Sequence, residues 1–425
     1  MSDASAEKRV VILVEDEGWK ALQPLTWLRP AADLVVGART IRERWARAAG
    51  GDALALCRPH VAAIHSGRIA TPPAAGAGKA AVLWTRDRWI PDSVWARHAI
   101  AGRATPSVWR LEGRVIAVLT TAPPPAGIEH GSDAFWDALA RNATAESSPP
   151  GGVWLEGLPD LTREAPGFLT RDLEEILATT PPPHDVGDAQ AFQPERIRIG
   201  DGCRIDRGAI LDGRGGPVVL GAGSSVAPFT WIRGPFLCRQ GCILLGGSIG
   251  GGTYLGPGCR VRGEVDSSTF LGHGNKAHDG FVGHSYIAEW VNLGALTTTS
   301  DLKNNYGAVH LEIDGKSVET NQMKVGSFIG DHAKTRIGTL LNSGSVIGLA
   351  ANLFGDVSLF PKWVPDFAWG VGENAGEYAI DRCLKTAEVV MTRRGEHFTP
   401  ALANALTAAF NESRPSRERA SRRKG

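Results

Sequence analysis

The sequence predicts an α/β domain, then a parallel β-helix built from hexapeptide repeats, then a C-terminal helical tail. Three observations lead to this fold class. Apolar, β-branched runs alternate with helical stretches in the first 180 residues, aliphatic residues recur every six positions after residue 195, and helical spacing returns after residue 370. We therefore expect an α/β domain at 1–180, a linker at 181–194, the β-helix at 195–370, and helices with a basic tail at 371–425.

Residues 1–180 carry the pattern of an α/β sheet. Residues 9–14, 80–84 and 114–119 are apolar runs that predict buried strands, and residues 40–48 and 170–178 predict helices. Alternating strands and helices favour a parallel sheet with helices on its faces. The three prolines at 181–183 end the last helix, and the polar stretch that follows them is expected to be a linker.

Internal repeats dominate the middle of the chain. The aliphatic residues stand six apart in five runs, which are Ile199, Ile205, Leu211; Leu220, Val226, Ile232; Ile243, Ile249, Leu255, Val261; Val265, Leu271, Ala277; and Phe281, Ile287, Leu293. Ile329, Leu341, Ile347 and Leu353 keep the frame, with Thr335 between them. A period of six fits a coil with three short sides, each of which offers one apolar residue to a triangular interior.

Small residues and interruptions complete the repeat pattern. A glycine often follows the apolar residue, as at Gly200, Gly221 and Gly256, and we expect a positive φ at these corners. Extra residues interrupt the period between 213 and 217 and between 298 and 324. Such insertions predict loops that project from the coils, often beside a site.

Composition excludes several classes of function. The net charge of +1, from 46 basic and 45 acidic side chains, argues against bulk binding to nucleic acid or anionic membranes. No apolar run is long enough to span a bilayer, and residues 1–9 lack the apolar core of a signal peptide. The six cysteines form no CxxC pair, so we expect no metal site and reduced thiols in a cytoplasmic protein.

Residues 275–295 resemble a known family. They are similar to the acetyltransferase half of the bifunctional N-acetylglucosamine-1-phosphate uridyltransferase/glucosamine-1-phosphate acetyltransferase. His278, Phe281, Gly283 and the Asn292-Leu293-Gly294-Ala295 motif stand at the family's offsets, and Asn304-Asn305-Tyr306 resembles its later Asn-Tyr. The amino-acid sequence of these motifs is closer still to that of a group of alternative sugar nucleotidyltransferases of this kind. The resemblance implies a left-handed β-helix, acetyl-CoA as co-substrate, a homotrimer and a role in UDP-N-acetylglucosamine-type synthesis.

The resemblance also implies roles for individual residues. His278 would be the general base, because an unperturbed imidazole pKa of about 6.5 suits removal of a proton from a sugar amine. Asn292 would orient the sugar, with Phe281 and Asn305 beside it. A backbone N–H near Gly294 and Ala295 would stabilise the oxyanion, and Ala295, Gly330 and Gly348 would contact acetyl-CoA. On composition alone, the favoured interpretation of His278 among 11 histidines is a surface residue that caps a turn, and the motif offsets shift the balance to the catalytic role.

The phosphate contacts follow less directly from the resemblance. Arg233 aligns with the family's phosphate-binding arginine, and a guanidinium suits a phosphate. The family's later lysine is missing at 265–268, so Lys276 or Lys303 would compensate, unless both are solvated surface residues. Three further basic residues are expected near the phosphates of CoA, namely Lys334, Arg336 and Lys362.

The N-terminal domain resembles sugar nucleotidyltransferases through Pro24-Leu25-Thr26 and Arg29-Pro30. The resemblance implies that Lys20, Thr26 and Arg29 contact the nucleotide and that Mg²⁺ assists its transfer. The family's Gly-rich loop is absent, and Glu15, Asp16 and Glu17 stand where phosphates would bind. The fold is therefore expected, whereas the activity stays open and the Pro-Leu-Thr stretch is equally an ordinary turn.

Two alternatives remain at the level of sequence. One is a zinc-dependent carbonic anhydrase of the β-helix type, because His273 and His278 have the spacing of its ligands. Its third histidine is expected near residue 237, where Leu237 and Cys238 stand instead. The other is a scaffold without activity, at least in the N-terminal domain. The basic stretch 414–425 is expected to be a disordered tail.

Overall fold

The computed structural model describes residues 10–65, 67–68, 81–101, 105–122, 127–149, 151–181, 186–372 and 375–422. Residues 1–9, residue 80, residues 182–183 and residues 423–425, which carry some of the predictions, lie outside these ranges. The chain forms two compact units. The N-terminal unit comprises Met1–Leu22, Leu28–Leu34 and Arg39–Gly157, and the solenoid unit comprises Gln23–Trp27, Val35–Ala38 and Leu158–Gly425. The unit boundary therefore comes before the predicted one at residue 180.

The N-terminal unit contains a six-stranded sheet. Its strands, in spatial order, are Ala53–Leu56, Val11–Val14, Val82–Arg86, Arg114–Thr120, Ser107–Leu111 and Ala145–Ser147. Its α-helices are Ile41–Ala49, Pro59–Ile64, Ser93–Ala101 and Asp133–Ala140, and a short 3₁₀ helix, Glu17–Leu22, follows the first strand. A two-stranded antiparallel sheet joins Trp89–Pro91 to Gly152–Trp154. Ile12, Trp84, Val118 and Phe135 belong to the core.

The prediction of a wholly parallel sheet is wrong. Val11–Val14 is parallel to both of its neighbours, but Arg114–Thr120 is antiparallel to the strands on either side of it. The reason is a tight hairpin turn at Glu112 and Gly113, whose φ values are 50° and 79°. Two successive positive φ values are typical of the turn that joins antiparallel strands.

The solenoid unit consists of parallel coils with three faces. Strands of face A are Arg204–Ile205, Ser225–Val226, Asn275–Lys276, Lys334–Thr335, Asn352–Leu353 and Ala368–Trp369. Strands of face B are Gln190–Phe192, Ile210–Asp212, Thr230–Arg233, Phe281–Gly283, Thr298–Thr299 and Leu340–Leu341, and Ile243–Ile249 and Arg260–Asp266 run along both faces. Face C has nine strands, which are Ile197–Ile199, Val218–Leu220, Phe236–Cys238, Thr253–Leu255, Thr269–Phe270, Tyr286–Ile287, Phe328–Ile329, Val346–Ile347 and Trp363–Val364. The predicted fold class is confirmed.

Face C is covered by other parts of the same unit. The 22-residue helix Leu158–Thr179 starts well before the predicted 170–178 helix, and Arg198 of face C donates hydrogen bonds to the carbonyls of Leu177 and Thr180 near its end. The Tyr286 hydroxyl accepts from the N–H of Val35 at 2.9 Å. Because its outward residues are buried in this way, face C offers little open surface for a ligand.

The interior ladder follows the predicted frame with four exceptions. Most of the predicted inward residues are buried in one core, among them Val226, Ile232, Leu255 and Ile347. The inward positions predicted at Ile243, Leu271, Ala277 and Phe281 are instead occupied by Leu244, Phe270, Lys276 and Val282, each one residue away. The phase shifts because successive coils differ in length, and strand pairing with the previous coil decides which residue points inward.

The glycines that follow the ladder are required for a different reason from the predicted one. At Gly221 and Gly256, φ is not positive, but an added Cβ would lie 2.4 Å from the Arg239 carbonyl carbon and 1.8 Å from the Leu271 oxygen. Close approach of neighbouring coils therefore excludes a side chain. Positive φ occurs two residues later, for example at Gly258, where φ is 64°.

The C-terminal region is helical further than predicted. Helices Ile380–Thr392, Pro400–Glu412 and Arg414–Arg422 close the described chain, so the predicted disordered tail is wrong up to residue 422. Arg417 is buried and donates to the Phe410 carbonyl, and Arg419 pairs with Asp314 in the inserted hairpin His310–Ile313/Lys316–Glu319. Among the described residues, no helix combines the length and apolarity needed to cross a membrane.

Candidate functional site

The corner between faces A and B carries His278. This residue is exposed and lies in the turn after the strand Asn275–Lys276. In the next coil, the N–H of Leu296 donates to the carbonyl of Asp279 at 2.9 Å. Ala295 therefore stands in the coil next to His278, at the same corner.

Asn292 lies one strand position away from this corner, on face A. It pairs with Asn275 in the previous coil, and the Asn275 Nδ2 donates to the Asn292 Oδ1 at 2.7 Å. Three of the predicted site residues, His278, Asn292 and Ala295, are thus carried by two neighbouring coils.

The structure distinguishes the N–H of Gly294 from the N–H of Ala295 as the donor to an oxyanion. The N–H of Gly294 donates to the Thr335 hydroxyl at 2.9 Å. Within the described ranges, no hydrogen bond engages the N–H of Ala295. Ala295 is therefore the better candidate for a donor to an oxyanion.

Lys276 does not reach the surface. Its side chain occupies the inward ladder position opposite Val261, and only 2% of the residue is exposed. The Nζ donates to the carbonyl of Arg262 at 2.7 Å and to the carbonyl of His278 at 2.9 Å. Burial lowers the pKa of Lys276 to about 8. This placement argues against both predicted environments for Lys276, a substrate phosphate and a solvated surface.

A histidine–aspartate pair follows Phe281 on face B. The Nδ1 of His284 lies 2.7 Å from the Oδ2 of Asp301, and both side chains are largely buried. Burial raises the pKa of Asp301, but the hydrogen bond and charge of His284 outweigh it, so the pKa is lowered. An added Cβ on Gly283 would collide with Phe281 and Asp301, which places the Phe281 ring beside this pair. Sequence analysis missed Asp301, although it follows His284 by 17 residues, the same one-coil spacing that separates Asn275 from Asn292.

Arg233 lies at the other edge of face B, away from His278. Its strand is followed along the face by Ile249, Val265 and Val282, so three coil steps separate Arg233 from Gly283. At about 4.8 Å per coil this is roughly 14 Å along the axis. The guanidinium contacts the Trp231 ring at 4.8 Å, and its Nε is buried without a hydrogen bond among the described residues. One chain does not bring Arg233 and His278 together.

The remaining predicted contacts of the solenoid are distributed over several places. Asn305 is exposed in the insertion, where its Oδ1 accepts from the N–H of Gly307, and Lys303 donates to the Ala308 carbonyl. Gly330 and Gly348 are buried where coils meet. An added Cβ would lie 2.9 Å from Pro24 at the first and 2.3 Å from the Asp366 nitrogen at the second. These two glycines are packing positions, which argues against direct acetyl-CoA contacts.

The three basic residues expected near CoA also differ in their surroundings. Lys334 donates to the carbonyl of His332 and lies on face A beside Asn292. Lys362 donates to the carbonyl of His310, and Arg336 is exposed. Lys334 is therefore next to Asn292, and the backbone of Arg336 packs against Gly294, where an added Cβ would lie 2.6 Å from the Arg336 carbonyl carbon.

The N-terminal unit has a cavity of about 290 Å³ where the parallel strands Val11–Val14 and Ala53–Leu56 end. The carboxyl ends of parallel strands are the usual place for a ligand in such sheets. Glu15, Asp16, Glu17 and Glu129 line this cavity, with Arg58 as its one arginine. The lining is therefore acidic, which disfavours a nucleoside triphosphate.

The arginines of this region are engaged by the acidic residues. Arg58 donates to Glu15 through Nε at 2.8 Å, and Asp16 accepts from Arg86 at 2.8 Å and from Arg88 at 3.0 Å. Burial raises the pKa of Asp16, but its arginine partners outweigh this and lower it. Internal ion pairs thus take the place of a Gly-rich phosphate loop.

Asp87 is a buried carboxyl that sequence reasoning missed. It follows the strand Val82–Arg86, is 1% exposed, and has no hydrogen-bond partner for either oxygen among the described residues. Burial, followed by the charges of Glu15 and Asp16, raises its pKa well above the usual range. An acidic residue directly after an apolar strand was the available signal.

The predicted nucleotide contacts do not converge on this cavity. Thr26 is fully buried and belongs to the solenoid unit, whereas Arg29 is buried in the N-terminal unit and Lys20 is exposed beside Glu17. Across the described ranges, no group of three or more His, Cys, Asp and Glu side chains is arranged to hold a metal ion. Because Mg²⁺ is often held by one or two carboxylates together with substrate phosphates, the expected Mg²⁺ contact stays a prediction.

The histidines of the zinc alternative lie at opposite ends of one strand. His273 precedes Asn275–Lys276 and stacks on Trp290, with ring centroids 4.2 Å apart, while His278 follows the strand. Leu237 and Cys238 are buried in face C. In a single chain, these positions do not form a shared metal site.

Comparison with known proteins agrees with the predicted resemblance. Residues 11–179 match the family model described as sugar nucleotidyl transferase. The chain is 34% identical over 91 residues to the bifunctional sugar-1-phosphate nucleotidylyltransferase/acetyltransferase of Sulfurisphaera tokodaii, which covers 21% of this chain and 23% of that protein. It is 28% identical over 195 residues to the bifunctional protein GlmU of Alkalilimnicola ehrlichii, covering 41% and 38%. The predicted family resemblance is confirmed.

The matches are partial. The chain spans 23% to 38% of the length of these two curated relatives. A solved structure, the Arabidopsis UDP-N-acetylglucosamine acyltransferase, matches 49% of this chain and 79% of its own, with 13% identity and a TM-score of 0.20. The matched family model and the Sulfurisphaera tokodaii relative are both named as transferases, the class of enzyme predicted for this chain.

Proposed function

We propose that the solenoid unit transfers an acetyl group from acetyl-CoA to the amine of an amino-sugar phosphate. The observation that carries this proposal is the corner between faces A and B, where exposed His278 stands next to Ala295 of the following coil. Asn292 on the same two coils supplies an amide for a sugar hydroxyl. The resemblance of residues 275–295 to an acetyltransferase motif supports the same reaction.

Each residue of this corner has a defined task in the proposed reaction. The sugar ammonium first loses one proton to solvent, and the imidazole of His278 removes a second proton from the attacking amine as its nitrogen bonds to the thioester carbon. The N–H of Ala295 donates to the oxyanion that forms on the former carbonyl. The carbon–sulfur bond then breaks, and the protonated imidazole returns its proton to the departing CoA sulfur. The product is an N-acetylated sugar phosphate.

Replacement of His278 tests this mechanism. We expect His278→Ala to lower the rate of acetyl-CoA consumption with glucosamine 1-phosphate by about a hundredfold or more, the range typical of general-base loss. His397→Ala is a matched control, because His397 is also exposed but lies after the helix Ile380–Thr392. Equal turnover in His278→Ala and wild type would contradict the mechanism, and a parallel loss in His397→Ala would deprive it of support.

The His284–Asp301 pair gives a second candidate for the base. A histidine held by a carboxylate is a common arrangement in enzymes that move protons. If this pair served instead, His284→Ala would abolish turnover while His278→Ala retained it. We favour His278 because His284 and Asp301 are largely buried, whereas His278 is exposed.

We further propose that the N-terminal unit keeps the fold of a sugar nucleotidyltransferase without its nucleotidyl transfer. The acidic cavity and the engaged Arg58, Arg86 and Arg88 support this view. Incubation of the full chain with UTP, Mg²⁺ and a sugar 1-phosphate should release no pyrophosphate above the background without protein. Measurable uridylyl transfer to a sugar 1-phosphate would overturn this part of the proposal and leave the acetyl transfer unaffected.

A further inference from the structure

A second cavity lies in the solenoid unit between face A and the end of the helix Ile380–Thr392. Its volume is about 340 Å³, in the range of small-molecule sites. Four cationic residues line it, Arg260 and Lys334 from face A and Arg393 and Arg394 from the end of the helix, together with the amides Asn275 and Asn292. No carboxylate is among its lining residues.

The cations of this cavity lack a counter-ion within the described part of the chain. Arg260 and Arg393 are exposed and form no side-chain ion pair or hydrogen bond there. Arg394 and Lys334 donate only to backbone carbonyls, those of Gly258 at 3.2 Å and His332 at 2.8 Å. Burial, with the nearby charge of Arg260, lowers the pKa of Arg394. Like charges held together in this way are stabilised by a bound anion.

The remaining lining suits the uncharged part of a ligand. The hydrogen bond between Asn275 Nδ2 and Asn292 Oδ1 leaves the other amide atom of each residue able to meet a hydroxyl group. His273 and Trp290 line the same cavity and are stacked with an interplanar angle of 2°. Burial lowers the pKa of His273, despite the charges of Glu289 and Glu396. These groups offer polar contacts and a flat ring surface next to the cationic wall.

We propose that this cavity binds a phosphate-bearing small molecule, with its phosphate on Arg260, Arg393 and Arg394 and its hydroxyls on the two asparagines. A guanidinium fork matches phosphate oxygens in geometry as well as charge. Because Asn292 also belongs to the proposed acetyl-transfer corner, the hydroxyl contact rests on the proposed function, whereas Arg260 and the arginines at the helix end extend it. The shared chemistry is a phosphate ester, and its source is either a sugar phosphate or the phosphates of a coenzyme.

Calorimetric titration of the full chain tests the proposal. The probes are glucosamine 1-phosphate, coenzyme A, inorganic phosphate and unphosphorylated glucosamine. The variants are Arg260→Ala and Arg394→Ala, with Arg382→Ala as the matched control, because Arg382 is an exposed arginine of the same helix that does not line the cavity. Thermal unfolding of each variant verifies that its fold is retained.

We expect at least one phosphate-bearing probe to bind the wild type and each cavity variant to weaken it about tenfold, the effect of one lost charge-assisted hydrogen bond. Arg382→Ala should bind as the wild type does, and because the measurement is of binding and not of turnover, failure of acetyl transfer stays distinguishable from failure of this site. Preference for glucosamine 1-phosphate would identify a sugar phosphate, and preference for coenzyme A the coenzyme. Binding that is absent from the wild type, or unchanged in both cavity variants, would overturn the proposal.

Discussion

At the scale of single residues, Lys276 is the most unusual member of the solenoid. It fills a ladder position that Val261 occupies in one coil and Leu293 in another, yet it carries an ammonium group. Its two hydrogen bonds to the carbonyls of Arg262 and His278 link the interior to the turn that holds His278. Burying this charge costs stability, and the lowered pKa of about 8 expresses that cost.

The pKa of Lys276 predicts a dependence of stability on pH. Below about pH 8 the lysine is charged in both states, so the cost of burial is present in full. As pH rises from about 8 towards the unfolded value of about 10.4, the native state loses its proton first and the cost disappears. Relative to Lys276→Met, the wild type should gain roughly 2 kcal/mol of unfolding free energy between pH 7 and 10.

Urea unfolding of the wild type and Lys276→Met across this pH range measures the difference. Lys324→Met is a suitable control, because Lys324 is exposed. A wild-type curve that runs parallel to the Lys276→Met curve at every pH would show that the buried ammonium does not exist in solution.

At the scale of elements, two different constraints select glycine in the coils. Gly256 faces the Leu271 carbonyl oxygen, whereas Gly338 has a φ of 69° and open space where a Cβ would lie. An alanine at Gly256 must push two coils apart. An alanine at Gly338 meets only the strain of the left-handed region, about 1–2 kcal/mol.

The two alanine variants should therefore differ in stability. We expect Gly256→Ala to lower the melting temperature far more than Gly338→Ala does, since a backbone clash has no flexible group to absorb it. Differential scanning calorimetry of both variants gives the comparison. Equal losses would indicate that the coils separate at little cost.

The six-residue period predicted most of the inward-pointing residues of the solenoid. The positions where this prediction is wrong have physical causes. Side chains such as Val226 and Ile347 stand inside as predicted, because a period of six recurs within each coil. Lys276 took an inward place that the sequence assigned to Ala277, because pairing with the previous coil overrode polarity. The antiparallel hairpin at Glu112 could not be anticipated from strand propensity, since the turn alone sets the direction of the next strand.

The site could be predicted only where neighbours in the sequence are neighbours in space. His278, Asn292 and Ala295 lie on two consecutive coils, and the motif spacing anticipated their proximity. Asp301 follows His284 by the same one-coil spacing, but it lies where the repeat is interrupted after residue 298, so no motif marked it. The basic cavity also left no local pattern, because Arg394 follows Lys334 by 60 residues and Arg260 by 134 residues.

At the scale of the whole molecule, the proposed transfer site is incomplete in one chain. Arg233 and His278 stand at opposite edges of face B, separated along the axis by several coils. We predict that a neighbouring copy in the expected trimer brings its own Arg233 to the His278 corner, so that the phosphate contact implied for Arg233 by the resemblance is shared between subunits.

Mixed oligomers test this arrangement. We expect Arg233→Ala and His278→Ala each to be inactive alone, and a mixture refolded or co-expressed from both to recover part of the wild-type rate, because some interfaces then contain both native residues. Light scattering should give about three times the 45.2 kDa of one chain. A monomer, or a mixture no more active than its components, would show that the site is not shared.

The measurement that tests the central claim most directly is mass-spectrometric detection of the product when the full chain is incubated with acetyl-CoA and glucosamine 1-phosphate. The account predicts an N-acetylated sugar phosphate, formed with one equivalent of free CoA thiol and nearly absent with His278→Ala. Absence of any acetylated sugar from the folded wild type, with glucosamine 1-phosphate or with other amino-sugar phosphates, would contradict the assignment of acetyl transfer to the solenoid.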